Sequence, residues 1–147
     1  MKKLSLFFLF PFLFGCQSNA FNSTYTPNAE AVGQYQKLKS KEMPHMEQVD
    51  LNSKREEEYI KKGYVIIGRA TTEKEERVPR TFVYDMAKSK DASVVILKSG
   101  VGERRTQTSS RMIKQEKQGN FVKTTYLNSF YNVEYFNEEA VFLAKRK

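Results

Sequence analysis

Two runs of β-branched and aliphatic residues bracket one amphipathic stretch, and this arrangement limits the fold more than anything else in the chain. Tyr64-Val65-Ile66-Ile67-Gly68 and Ser93-Val94-Val95-Ile96-Leu97 are nearly continuous in apolar character, the pattern of strands covered on both faces. Between them Pro79 opens a helix, where its missing amide hydrogen costs little. Phe82, Val83, Met86 and Ala87 fall at i, i+1, i+4 and i+5 and make one apolar stripe, while Arg80, Asp85, Lys88 and Lys90 lie largely elsewhere. The helix is expected to finish at Asp91 and Ala92. Strand, helix, strand in this order predicts a right-handed crossover between parallel strands.

The flanks extend the pattern. Ser53 followed by Glu56 reads as a capping box, Glu57 and Glu58 add negative charge to the first turn, and Lys61, Lys62 and Gly63 mark the end. Together they predict a helix over 53–62. Residues 69–77 are polar and highly charged and read as a solvent loop. After Gly100-Val101-Gly102 the sequence becomes polar. Thr106 and Thr108 suit an edge strand, residues 114–120 a loop, and 121–127, 131–135 and 140–144 further strands. The expected fold is α+β, or a two-layer α/β arrangement, with a small mixed sheet of about five strands and two helices. No internal repeat and no heptad pattern is present.

The N-terminus carries a different signal. Lys2 and Lys3 precede an apolar run from Leu4 to Phe14, then Gly15 and Cys16, the layout of a secretory signal. The run is shorter than the roughly 20 apolar residues of a membrane-spanning helix, and Pro11 interrupts it. Leu13-Phe14-Gly15-Cys16 resembles the lipobox of bacterial lipoproteins, in which the cysteine is thioether-linked to diacylglycerol and begins the mature chain after cleavage. The resemblance implies residues 1–15 as signal peptide and Cys16 as a lipidated membrane anchor, with no other cofactor. Gln17 follows the cysteine where an aspartate resembles an inner-membrane retention signal. In a Gram-negative envelope this implies an outer-membrane protein facing the periplasm. Residues 16–49 are rich in Asn, Ser, Thr, Gln and Lys with scattered apolar positions, and read as the lipidated N-terminus and a flexible tether, with a short helix possible over 30–41. About 30 flexible residues would reach roughly 30 Å. Residues 50–147 are then a single globular domain.

Within that domain, Gly63-Tyr64 leading to Ile67-Gly68, the helix with Ala87 and Ala92 before Val94-Val95, and the closing Tyr135-Phe136-Asn137-Glu138-Glu139-Ala140-Val141-Phe142 with Lys145 resemble a group of small bacterial envelope lipoproteins. The helix and its Val-Val strand are also similar to the periplasmic domain of an envelope-stress-sensing lipoprotein. That domain relies on disulfides, which a chain with one cysteine cannot form internally. Neither resemblance implies catalytic residues.

The remaining composition excludes common chemistries. The only histidine, His45, falls in the expected tether, so a histidine-based acyl-transfer triad is not supplied. One histidine and one anchored cysteine do not make a zinc site, the three aspartates lack calcium-loop spacing, and Gly100-Val101-Gly102 lacks the helix and lysine of a phosphate loop. Glu134, Glu138 and Glu139 are carboxylates of the type a glycan-cleaving enzyme needs. The net charge of +8 falls to +6 without Lys2 and Lys3 (8 − 2 = 6), which suits an acidic envelope partner such as lipopolysaccharide phosphates or cell-wall carboxylates. Nucleic acid is not an expected partner of an exported chain. The best candidate surface is Arg104, Arg105, Arg111, Lys114, Lys117 and Lys123, several of which share a face if their strands form a hairpin. The leading expectation is a non-enzymatic, membrane-anchored lipoprotein whose domain contacts an envelope component or protein partner, with anion binding by the basic strands as the alternative.

Overall fold

The computed structural model describes residues 20–147; residues 1–19, and with them Cys16 and the signal peptide, lie outside the described part. One mixed sheet holds five strands: β1 (Thr26–Pro27), β2 (His45–Asp50), β3 (Tyr64–Lys74), β4 (Val94–Gln118) and β5 (Phe121–Lys145). Their spatial order is β1-β3-β5-β4-β2. Helix α1 (Arg55–Lys61) joins β2 to β3, and α2 (Arg80–Ser89) joins β3 to β4. The sheet and two helices are as the sequence predicts. β3 and β4 run parallel, but β5 is inserted between them, antiparallel to both.

The two helices take opposite faces. Val83, Met86 and Ala87 of α2 are buried with Val65, Ile67, Val95, Leu97, Ala140 and Phe142. On the other face Val94, Ile96, Val141 and Leu143 are packed by Tyr59 of α1. Alternate residues of β4 and β5 are therefore buried on both sides, which is why their core sequences are continuously apolar. At the end of α2, Asp91 adopts a left-handed φ of 59°. The Ala92 amide donates to the Ala87 carbonyl at 2.9 Å and the Asp91 amide to Lys88 at 3.1 Å, a Schellman closure made without glycine.

Several expectations are corrected. The segment expected as a flexible tether is packed from Ala20 onward. Phe21 is fully buried in the α2-side core, joined there by Ala31 and half-buried Tyr25 and Tyr35. Asn28 pins the segment to β3 through its amide (2.9 Å to Ile67 O) and its side chain (2.9 Å to Ile66 O). β2 pairs in parallel with β4 from His45–Val94 to Asp50–Ser99. The apolar residues of this segment look scattered because irregular chain, not one periodic element, carries them into the core. Of the short helix that residues 30–41 allow, only a 3-10 turn at Ala29–Ala31 forms.

The capping box does not form either: α1 starts one residue after Lys54 with no side-chain cap. Glu56 points inward instead, accepting a hydrogen bond from Lys98 Nζ at 2.7 Å. Gly63 does close α1, at φ 86°. The expected loop after Gly68 continues as strand to Lys74. Finally, the loop and the separate strands read over 103–135 are one β-hairpin. β4 and β5 are each 25 residues long and meet at the two-residue turn Gly119-Asn120, where Gly119 takes φ 61°, a conformation that favours glycine in tight hairpins.

Candidate interaction surface

β4 is accompanied by β2 only as far as Ser99, and β5 by β3 only from Phe136 onward. Beyond those points the hairpin leaves the sheet as a two-stranded arm of residues 102–135. At about 3.4 Å per residue, 15 residues of β5 carry the arm roughly 50 Å from its root. Two register shifts, between Val101 and Arg104 and between Met112 and Lys114, each place one extra residue in β4. Bulges of this kind bend a ribbon and tighten its right-handed twist.

The first part of the arm is braced on the α1 side. Arg105 bonds Glu73 at 2.8 Å and stacks its guanidinium 4.6 Å from the Tyr135 ring. Gln107 Nε2 donates to Glu75 Oε1 at 2.6 Å, and the Tyr131 hydroxyl donates to Gln107 Oε1 at 2.9 Å. On the α2 side Arg104 pairs with Glu134, and Thr106 Oγ1 donates to Asn132 Oδ1 at 2.9 Å. From Thr108 and Phe130 outward no other element covers either face among the described residues. Phe121 and Phe130 are 81% and 72% exposed, and Met112, Ile113, Val122, Tyr126 and Leu127 are all more than half exposed. Hairpin pairing sets Met112 directly opposite Tyr126.

The six basic residues singled out in the sequence all lie on this arm, but not as one cluster. The β4–β5 register puts Arg104 and Lys117 on the α2 side, and Arg105, Arg111, Lys114 and Lys123 on the α1 side. Arg104, Arg105 and Lys114 are each held by a carboxylate of the chain: Glu134, Glu73 and Glu116. These pairings raise the pKa values of Arg104, through the Glu134 hydrogen bond, and of Arg105, through the charge of Glu73. What sequence reasoning missed is the apolar and aromatic content between the cations. Its signal is the run Thr124 to Val133, ten positions rich in Thr, Tyr and apolar residues and without a charge, although Asn128 and Ser129 at its middle make it read as two strands.

The carboxylates proposed for glycan cleavage do not face one another. Glu138 and Glu139 are neighbours on β5 and point to opposite faces. Glu138 is buried, accepting from the Val78 amide at 2.7 Å and from Ser99 Oγ at 3.3 Å; Glu139 meets Arg69 at 2.6 Å and Lys98 at 3.6 Å. Glu134 is out on the arm with Arg104. A second charged group lies under α1, where Lys98 and Glu56 are 5% and 8% exposed and Arg69 approaches Glu56 at 3.5 Å. Burial pushes the Glu56 carboxyl up, but the Lys98 hydrogen bond and the charges of Lys98 and Arg69 hold it below its ordinary value. Among the described residues Glu56 Oε2 accepts no hydrogen bond. The group's charges pair with one another, Lys98 and Arg69 each meeting both Glu56 and Glu139. It therefore reads as the clamp that seats α1 on the sheet. His45 is exposed at the start of β2, and among the described residues no three His, Cys, Asp or Glu side chains gather to hold a metal ion. No family model, curated protein or solved structure matches this chain.

Proposed function

We propose that the protein is a membrane-anchored bacterial envelope lipoprotein whose small sheet domain holds a β-ribbon arm against a protein partner or envelope component. The observation that carries this reading is the arm itself. A two-stranded ribbon with both faces wet is marginal in water, and exposed strand edges invite pairing with other chains. A 50 Å ribbon bearing Met112, Tyr126, Leu127 and Phe130 in the open is therefore suited to being covered by another molecule. A second reading, an anionic envelope surface, is favoured by Arg111, Lys117 and Lys123, which stand on the arm without an ion-pair partner among the described residues.

The anchor would place the arm. Phe21 is locked into the core and follows Cys16 by five positions, a span of at most about 18 Å. Ala20, Asn22, Ser23 and Thr24 adjoin Thr71, Thr72, Glu73 and Lys74 at the end of β3, beside the root of the arm. An acyl group on Cys16 would thus hold the arm's root close to the bilayer surface, with far less reach than a flexible 30-residue tether. Metabolic labelling with an alkyne fatty acid, followed by membrane fractionation, tests this: label at the membrane is expected for the native chain, and a soluble unlabelled product for Cys16→Ser. An unlabelled, soluble native chain would remove the anchor from the account. Partner capture that collapses in high salt would favour the anionic surface over the apolar contact.

A further inference from the structure

The two edges of the arm differ in charge, and the difference selects what can pair with each. The free part of β4, residues 102–118, carries Arg104, Arg105, Arg111, Lys114 and Lys117 against Glu103 and Glu116, a net +3 (5 − 2 = 3). Two such edges from two copies would set cations against cations, and charge of this kind is how natural edges refuse self-pairing. The free part of β5, residues 121–135, carries one cation, Lys123, and one anion, Glu134, near its opposite ends, and nothing charged between. Thr124 to Val133 also contains no proline and no glycine. Among the described residues this edge has no strand beside it, because β3 reaches only to Phe136.

We propose that the outer edge of β5 in the arm pairs with the same edge of a second copy, antiparallel about a two-fold axis at Asn128 or Ser129. The result is a four-stranded ribbon in the order β4-β5-β5′-β4′. Antiparallel pairing of a strand with itself meets two-fold symmetry without further adjustment. It brings Lys123 of each copy to the end that bears Glu134 of the other, whereas parallel pairing would set Lys123 beside Lys123. With the axis at Asn128, Tyr126 lies opposite Phe130 of the second copy, twice; with the axis at Ser129, Leu127 lies opposite Tyr131, twice. Aromatic and apolar cross-strand pairs of this kind stabilise sheets. The cationic β4 edges remain outermost and end the assembly at two copies. The inference rests on the arm being the protein's contact element, and is independent of lipidation.

The test uses single cysteines in the full-length Cys16→Ser chain under mild oxidation. Facing residues of adjacent antiparallel strands lie about 4.5–5.5 Å apart at Cα, within the range a disulfide spans. Asn128→Cys or Ser129→Cys, whichever lies on the axis, is therefore expected to give a disulfide dimer. Ser109→Cys, paired with Ser129 inside the hairpin, would face its copy across three strand spacings, about 14 Å, and is expected to stay monomeric. In light scattering the parent chain is expected at dimer mass, and lysine placed at the position that cross-links, Asn128→Lys or Ser129→Lys, at monomer mass, because the two lysines would meet at the axis. A monomeric parent, a dimer untouched by lysine at the cross-linking position, open-ended polymers, or equal cross-linking at positions 109, 128 and 129 would overturn the pairing. Cross-linking of position 128 or 129 to a different protein in intact envelopes, without self-adducts, would overturn self-pairing yet preserve the arm as contact element. Loss of arm-dependent capture altogether would remove both.

Discussion

Phe21→Ala is expected to destabilise the fold by about 3–5 kcal/mol, the usual range for deleting a fully buried phenylalanine. Phe21 is 0% exposed and belongs to the same cluster as Val83, Met86 and Phe142. Its removal would leave a cavity that Ala31 and Tyr25 can fill only in part, since Asn28 fixes the backbone between them to β3. The denaturant midpoint should fall while the slope of the transition stays constant. In a tether the same substitution would change stability by no more than about 0.5 kcal/mol. The measurement therefore separates a packed N-terminal segment from a flexible one.

The second large effect lies on the opposite face. Lys98→Ala removes the ammonium that bonds Glu56 at 2.7 Å and leaves a buried carboxylate under α1, a change that costs about 3–5 kcal/mol when no other cation takes over. Arg69, 3.5 Å from Glu56, places the expected loss near the lower end, about 3 kcal/mol. The double variant Lys98→Met with Glu56→Met should recover most of it, because apolar replacement of both partners removes the desolvation cost together with the attraction. Chemical denaturation of Lys98→Met, Glu56→Met and the double methionine variant closes the cycle. Glu56 also gives a pH dependence whose sign follows from its lowered pKa. Its contribution is fully present above the unfolded carboxylate value, about 4.3, and is lost as pH falls through the lower folded value. The native chain should lose stability in acid more than the double methionine variant does.

The sheet's centre was legible because its residues obey one rule over a short distance. Val94 to Leu97 and the stripe of Phe82, Val83, Met86 and Ala87 report burial by their own periodicity, and α2 lies where Pro79 and the stripe put it. Three other features depend on groups distant in sequence. Glu56 has the spacing of a capping box, yet Lys98, far along the chain, offers a charged partner and draws it inward. The segment from Phe21 to Tyr35 has no period, because it follows the surface of a sheet that the rest of the chain must first build. The arm misleads in another way. Strand pairing normally buries one face and so imposes alternation, but a ribbon wet on both faces has no such constraint, and Lys114 to Asn120 consequently reads as loop. Arg104, Arg105, Arg111 and Lys123 fall in segments that read as strand, whereas Lys114 and Lys117 fall in the stretch that reads as loop and is strand in the structure; their division between two faces follows from the bulge at Ile113 and the hairpin register, neither of which composition encodes.

The account makes the arm the part of the protein that meets its partner and the sheet its support. Its most direct test is a trimmed chain lacking residues 106–117 and 122–132. This shortens the hairpin in register, because Arg105 still faces Val133 and Gln118 still faces Phe121 across Gly119-Asn120. Unfolding of the trimmed and full chains should coincide within about 1 kcal/mol, since no core residue is removed. Cross-linked complexes recovered from membranes should fall at least tenfold for the trimmed chain. Equal recovery of the same complexes with and without the arm would contradict the account.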